Sequence, residues 1–436
     1  MKVLKFGGTS VGSAQRIKNV AELVTKRGKN IIVLSAMSGT TNSLVQISEK
    51  LHNEDIDGAY GVIEGLKQKY ARTLEELFEN KEYLAVAKEK VQACFDFIRL
   101  HTMSNFSERY EKEILAQGEL MSTNIMHAYL QSIGVKSVLL PALEYMRIDE
   151  NGEPDYDYIK DHLFTLLKVD ADIYITQGFI CRNAEGDIDN LQRGGSDYSA
   201  SIIGAVISAE EVQIWTDIDG MHNNDPRYVE NTSPVKELAF EEAAELAYFG
   251  AKILHPTCVR PAQEHNIPVR LLNTMLPEAY GTLIHNVTET NRIKAVAAKD
   301  GITSIKIKSG RMLLACGFLK KVFEIFEDNR TAIDMVTTSE VGVSVTVDNT
   351  KSLDCIISEL ETLGEVTVEQ DMVIVCVVGD LKWQNRGFEA DVLNALRTIP
   401  VRMISYGGSN HNISVLIHKN DKIEALNLLS EHLFNK

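Results

Sequence analysis

Two stretches of this chain carry residue types whose spacing could handle a phosphate group. Lys5-Phe6-Gly7-Gly8-Thr9-Ser10-Val11-Gly12 lies at the end of an apolar, alternating run that predicts a strand. Behind the glycines, Thr9-Ser10 are helix N-cap candidates, and Val11, Ile17, Val20 and Leu23-Val24 recur at helical spacing up to Gly28. A strand, a double glycine and a helix N-terminus bring bare backbone N–H groups against an anion, and Lys5 can add a full positive charge. Gly7 to Gly12 has the spacing of a P-loop, but Ser13 stands where the Walker lysine belongs. By itself the segment fits either a phosphate site or a plain tight turn.

The second stretch is Gln192-Arg193-Gly194-Gly195-Ser196-Asp197, continued at helical spacing by Ala200, Ile203, Ala205-Val206 and Ile207. An Arg193 fork binds a carboxylate or phosphate bidentately, while Asp197 in a first turn could simply stabilise the helix dipole. Two double-glycine helix starts with cations attached favour the phosphate reading over two chance turns.

From Lys2 to about Ile284, strand-like and helical patterns alternate, which predicts a mostly parallel sheet covered by helices. A second strand over 30–35 runs into the small polar loop Ala36-Met37-Ser38-Gly39-Thr40-Thr41-Asn42, at the strand end where α/β proteins bind ligands. Residues 57–104 read as weakly patterned surface helices with no chemistry. A long helix is predicted over 107–133, ended by Gly134. Gly118 inside it costs about 1 kcal/mol against alanine, which suits a close approach with Glu119 alongside; an ordinary exposed Glu on a helix is the commoner alternative. Further strands are predicted over 135–140, 172–180 and 212–217. The Asx- and Gly-rich loop from Ile218 through His222 to Arg227 has turn chemistry, and Lys252 sits between two helical patterns.

Composition narrows the class. The 436 residues, 44% hydrophobic and 24% charged, are those of a globular chain of several domains. A net charge of -16 argues against nucleic acid or anionic membrane as a partner. No signal peptide precedes the first strand and no apolar run of about 18 residues occurs, so a cytoplasmic location is expected. The six cysteines are scattered without a CxxC pair and read as reduced core residues, and the eleven histidines form no HExxH; no metal site is assigned.

Beyond a Thr/Asn-rich change of composition at 285–291 the chain repeats itself. Gly317-Phe318-Leu319 matches Gly387-Phe388-Glu389, and Val343–Val347 matches Ile413–Ile417, both at an offset of 70. Each copy predicts a ferredoxin-like βαββαβ unit. The domains are therefore placed at 1–290, 291–362 and 363–436, with the leading strand 293–298 free to join the last. Such units expose sheet edges and pair, which predicts a homo-oligomer with effector sites at its interfaces. Purely structural dimerisation is the alternative.

Lys5-Phe-Gly-Gly-Thr-Ser-Val-Gly12, Arg193-Gly-Gly-Ser-Asp197, Trp215-Thr-Asp217, Asp225-Pro-Arg227 and Phe249-Gly-Ala-Lys-Ile-Leu-His-Pro256 together resemble the aspartate kinases. The tandem repeat, with Val336-Thr-Thr-Ser-Glu340, is similar to that family's pair of ACT domains, and the likeness covers essentially the whole chain. It is similar to the monofunctional, lysine-sensitive type; no GxGxxG unit follows, so the fused homoserine dehydrogenase of some relatives is not expected. The resemblance implies an amino acid kinase fold, an αβα sandwich, and transfer of phosphate from ATP, with Mg2+, to the side-chain carboxylate of L-aspartate. That reaction opens lysine, threonine and methionine biosynthesis.

Carried over by motif, Lys5 would neutralise the transferring phosphoryl group, and Asp197 with Ser196 would organise the centre around it. Gly7, Gly8, Thr9, Gly194 and Gly195 would line the phosphates. Arg193 would take the substrate α-carboxylate, Glu119 its ammonium, and Ser35 and Thr41 would help seat it. Thr216, Asp217, His222, Arg227 and Lys252 would hold the nucleotide. Met312, Gly317, Phe318, Leu319, Asp334, Thr338 and Ser339 fit a lysine effector site, with threonine as the other candidate. His222 replaces a frequent tyrosine, Gln192 a glycine and Ala315 a serine. The other readings are a relative such as acetylglutamate kinase, or a non-catalytic amino-acid sensor.

Overall fold

The computed structural model describes residues 1–102, 106–191, 194–250, 254–286, 291–310, 312 and 316–434. The chain forms two compact units, Met1–Met221 with Leu254–Asn286, and His222–Ile253 with Val287–Lys436. The sequence places one cut near 285–291; the structure instead gives a stretch from the middle of the kinase-like part to the second unit.

Strands run in chain order as β1 (Lys2–Phe6), β2 (Asn30–Leu34), β3 (Ser137–Leu140), β4 (Ile173–Gln177), β5 (Ile180–Arg182), β6 (Ile188–Asn190), β7 (Val212–Thr216), β8 (Glu237–Leu238), β9 (Val269–Asn273) and β10 (Thr282–Ile284). In the first unit they lie in the order β3-β4-β2-β1-β7-β9-β10. All neighbours are parallel except β9 and β10. The five residues of β2 are all buried, as are those of β4, the unbroken apolar pattern of strands covered on both faces. Leu4, Phe6, Ile32, Leu34, Ile173, Ile175 and Trp215 share one cluster with the helices Ala14–Thr25, Ile56–Leu77, Lys81–His101 and Glu108–Ser132. Burying each such side chain contributes about 1.5–3 kcal/mol. The pleat turns Val3 and Lys5 to the opposite face.

Three expectations change here. The first helix starts at Ala14 with Ser13 as its cap, so Thr9-Ser10 do not cap it; Ser10 is instead buried and shares a 2.7 Å hydrogen bond with Thr274. Residues 57–104 are not merely surface helices, because Ile63, Leu66, Tyr70, Phe95 and Ile98 belong to the main core. The run 172–180 is broken: β4 ends at Gln177, Gly178-Phe179 turn the chain, and β5 and β6 form a separate hairpin. Phe179 takes φ 68, a strained value for an aromatic residue, held because its N–H donates to Ser199 Oγ at 2.9 Å. Cys316 and Cys355 are exposed, unlike the other four free cysteines, which are buried.

The second unit carries β11 (Ile293–Lys308), β12 (Val336–Thr338), β13 (Gly342–Val347), β14 (Glu365–Gly379), β15 (Met403–Tyr406) and β16 (Asn412–His418), in the sheet order β12-β13-β11-β14-β16-β15. The two repeats are interlocked, not strung in line. The first half of β11 pairs with the end of β14, and Val296 packs with Val373, Val375 and Ile413. Its second half pairs with β13 and packs Ile305 and Ile307 against Phe318 and Val322. Gly317 and Gly387, the repeat-related pair, both cap helices with φ 88 and 97.

Candidate active site

Because β1, β2, β4 and β7 are parallel, their carboxyl ends open on one edge of the sheet. The ladder continues one step past each strand. Gly7 N–H donates to the Trp215 carbonyl (3.2 Å), Ser35 N–H to Phe6 (3.2 Å) and Gly178 N–H to Leu34 (2.9 Å). These bonds fix where each loop begins. A β-carbon on Gly8 would lie 2.7 Å from the Ala36 carbonyl oxygen, so only glycine lets the first two loops lie back to back. Ser38 N–H then donates to the Gly8 carbonyl at 3.0 Å.

Gly194 and Gly195 open the helix Gly195–Val206 in left-handed conformations, φ 70 and 53. The Cys258 sulfur fills the place where a Gly194 side chain would go. Burial, with Asp197 nearby, pushes that thiol up to about 12, so it packs as an inert apolar group. The turn aims Asp197 at Lys5: Nζ to Oδ1 is 2.6 Å, with the two side chains 12% and 15% exposed. Ser35 Oγ donates to Ser196 Oγ at 2.9 Å, and Gly178 leaves room for Ser196. Both double-glycine turns, far apart in sequence, thus converge on one site.

Glu119 reaches it from the helix Glu108–Ser132. Gly118 permits this, since a β-carbon there would come within 2.8 Å of Ala36 Cβ. Ala36 N–H donates to Glu119 Oε1 at 3.1 Å, and Ser122 Oγ to the Ser35 carbonyl at 2.8 Å. Only 4% of Glu119 is exposed, and burial pushes its carboxyl up to about 8, against the opposite pull of the Ala36 N–H. Thr41 is exposed in the first turn of Thr40–His52. Sequence reasoning missed two supports of this loop, Lys69 and Tyr70. The Lys69 ammonium donates to the Ser38 carbonyl, and Tyr70 OH bonds Thr40 Oγ1 at 3.0 Å. Their helical spacing signals only a core face, and no local pattern marks them.

Thr216 and Asp217 follow the end of β7. Thr216 Oγ1 accepts the Ile218 N–H at 3.1 Å, and Asp217 is exposed. Thr9 offers its carbonyl to Arg16 Nη1 at 2.6 Å. Arg193 and Lys252, with Gln192 and Ala315, lie outside the described residues.

The amino acid kinase family model matches residues 1–273, and an ACT domain model matches residues 375–433. Aspartokinase 1, chloroplastic, of Arabidopsis thaliana is 35% identical over 457 residues, spanning 99% of this chain and 80% of its own length. The chain belongs to the aspartokinase family. Among solved aspartokinases, Escherichia coli aspartokinase III with aspartate and ADP, an R-state, superposes with TM-score 0.85 at 32% identity, covering both chains entirely. The T-state of the same E. coli enzyme, with lysine and aspartate, gives TM-score 0.83 at 33% identity, over 100% of this chain and 99% of that one.

In this aspartokinase-family chain the remaining nucleotide candidates, His222 and Arg227, belong to the second unit. His222 Nδ1 bonds Thr232 Oγ1 at 3.0 Å. Arg227 is clamped on Asp225, Nε to Oδ1 at 2.9 Å and Nη2 to Oδ2 at 2.6 Å, so its fork is already engaged. The effector candidates separate. Gly317 caps the helix Phe318–Asp328, with Phe318 buried and Met312 and Leu319 packed on its cluster. Asp334 Oδ1 receives Lys299 Nζ at 2.6 Å and Tyr248 OH at 2.7 Å, while Lys299 also reaches Asp348 at 2.8 Å. Thr338 and Ser339 line a cavity of ≈ 440 Å³ with Lys306, Ser344 and Arg402.

Proposed function

We propose that the chain transfers the γ-phosphoryl group of ATP to the side-chain carboxylate of L-aspartate, giving 4-phospho-L-aspartate and ADP, the step that opens lysine, threonine and methionine biosynthesis. The observation that carries this is the Lys5–Asp197 pair, 2.6 Å apart, held between two glycine turns with a buried Glu119 beside them. A carboxylate oxygen attacks phosphorus, the bond to the ADP oxygen breaks, and its electron pair stays on ADP. The nucleophile is already an anion, so no base is required; the work is positioning and charge neutralisation.

Lys5 neutralises the phosphoryl oxygens, with Gly7, Gly8, Thr9, Gly194 and Gly195 offering close backbone. Asp197 and Ser196 orient the Lys5 ammonium. Arg193 takes the substrate α-carboxylate, Ser35 and Thr41 seat it, and Glu119 takes its ammonium, which draws the buried carboxyl into its ionised form. Thr216 and Asp217, where β7 ends, serve the nucleotide. E. coli aspartokinase III holding aspartate and ADP supports this choice of ligands. Mg2+ travels on nucleotide phosphates and needs only one or two carboxylates. Asp197, at the centre of the site, is one such carboxylate.

Lysine is the effector in this reading, supported by the lysine-bound E. coli enzyme and by Asp334 Oδ2, a buried carboxylate oxygen without a hydrogen-bond partner among the described residues. Threonine is the comparison compound. Exposed Val336 on the edge strand β12 supports pairing of the second unit with another copy. Six free cysteines support a reducing, cytoplasmic setting, and no described helix is long and apolar enough to cross a membrane.

The test is coupled ADP release with hydroxylamine trapping of the acyl phosphate. Aspartate-dependent turnover, absent with N-acetylglutamate and suppressed by millimolar lysine, is expected. Absence of turnover with every amino acid tried would overturn the assignment in favour of a sensor.

A further inference from the structure

The loop 36–42 leads from β2 into the helix Thr40–His52, and one side chain holds its crest. On either side of the crest the loop is anchored. Met37 lies in the main core, Thr40 is buried and bonds Tyr70 OH, and Thr40 N–H donates to the Met37 carbonyl at 2.9 Å. Ser38 and Gly39 between them are exposed, and Gly39 takes φ 78. A glycine accepts either hand of backbone, so the Ser38–Gly39 peptide is the link of this loop that turns most easily. Its carbonyl is received by the ammonium of Lys69, which stands on the helix Ile56–Leu77 one residue before Tyr70.

Two effects oppose a cation at that place. Burial pulls the Lys69 ammonium below the usual lysine range, and no carboxylate among the described residues offsets that pull. Gly39 also caps Thr40–His52, where the helix dipole presents its positive end, and Lys69 Nζ would stand 3.6 Å from a β-carbon on Gly39. The Ser38 carbonyl is therefore the contact that keeps Lys69 in place, and Lys69 in turn fixes which way that peptide points. A trans peptide sets its C=O and N–H on opposite sides, so with the carbonyl on Lys69 the Gly39 N–H faces away from it. Reversed, the peptide would present a carbonyl oxygen where that N–H now stands, and would repel an anion.

We propose that Lys69 is a positioning residue for the amino-acid half of the site, locking the Ser38–Gly39 peptide with its carbonyl turned away from the anionic substrate. This rests on the aspartate kinase reading, in which Ser35 and Thr41 flank that peptide and seat L-aspartate. The sheet order β4-β2-β1-β7 puts β1 between this loop and the end of β7, where Thr216 and Asp217 serve the nucleotide. Ser38 N–H belongs to the preceding peptide and keeps its bond to the Gly8 carbonyl in either orientation, so the phosphate turn is undisturbed. Loss of Lys69 therefore weakens aspartate and spares ATP.

The test is steady-state kinetics of the full chain on Lys69→Met and Lys69→Arg, with thermal melts alongside. Methionine keeps the reach and the helix propensity of lysine, so the fold survives its introduction. Lys69→Met is expected to raise KM for aspartate about tenfold, leaving KM for ATP and kcat within about twofold. Lys69→Arg, whose fork can donate to the same carbonyl, returns the aspartate KM to within about threefold of the parent. An aspartate KM in Lys69→Met within about twofold of the parent overturns the proposal. So does an equal rise of both KM values with a lowered Tm, which marks a structural role only, and so does Lys69→Arg as impaired as Lys69→Met. If the parent enzyme itself shows no aspartate-dependent turnover, the kinase reading falls and this proposal with it. If the parent turns over normally and Lys69→Met matches it, the positioning role alone falls.

Discussion

The two double-glycine turns look alike in sequence but need glycine for different reasons. At Gly7-Gly8 the backbone is ordinary, and neither residue has a left-handed φ. Glycine is required at Gly8 because the Ala36 carbonyl presses against it from the next loop. At Gly194-Gly195 the backbone itself is left-handed, and the Cys258 sulfur additionally occupies the side-chain space of Gly194. The first turn is set by a neighbour, the second by its own dihedral angles. The first also does not begin a helix, which starts only at Ala14, whereas the second does. Lys5 rides on the rigid strand of the first turn and Asp197 on the helix of the second, so each turn supplies one half of the central ion pair.

The sharpest way to break this comparison is to remove the charge the turns share. Lys5→Ala is expected to lower kcat by about 10³-fold or more while the circular dichroism spectrum stays that of the parent. Near-normal turnover would separate the two turns functionally. Next in size is Gly194→Ala, expected to cost about 3 kcal/mol or more in urea unfolding, because both the dihedral and the sulfur oppose it. Adding Cys258→Gly should recover the steric part and leave about 1–2 kcal/mol for the backbone. Full recovery would show that space alone, as at Gly8, governs the second turn. Gly8→Ala should cost about 1–3 kcal/mol, with activity lost more than stability as the loops separate.

The smallest effect concerns the amino-acid end, where no turn is involved. Burial holds the Glu119 carboxyl protonated in the folded protein up to about 8, against 4.5 for an ordinary glutamate. The folded state then binds the extra proton between those values. Its contribution to stability is complete below the lower value and disappears as pH rises through the upper one. Urea melts of the ligand-free protein should weaken across that window, and Glu119→Gln should remove the slope. In kinetics, kcat/KM for aspartate should rise with pH toward about 8 in the parent, and be about tenfold lower and flat in Glu119→Gln. A parent profile as flat as that of the variant would detach Glu119 from the substrate ammonium.

Much of the site was legible because it is local. Gly118 signalled a close approach and makes one; Gly134 ends the long helix with φ 79; the offset of 70 found both Gly317 and Gly387. Lys69 and Tyr70 escaped because residues on a core-facing helix carry no mark of what their tips will touch. Residues 57–104 were underrated for the same reason, since a polar helix with a narrow apolar stripe can still fill a core. The engagement of Arg227 by Asp225 was within reach of the sequence, two residues apart; that of Asp334 by Lys299 and Tyr248 was not.

The sequence by itself determined the elements, the paired glycines, the repeat and the family, because strand alternation, helix periodicity and turn chemistry act over a few residues. Tertiary structure alone decided which charges face one another and which are stripped of water. Lys5 meets Asp197 only because parallel neighbours bring their carboxyl ends to one edge. Glu119 holds its proton only because packing buries it. Coulomb attraction and desolvation depend on distance and surroundings in space, and neither is written in the order of residues.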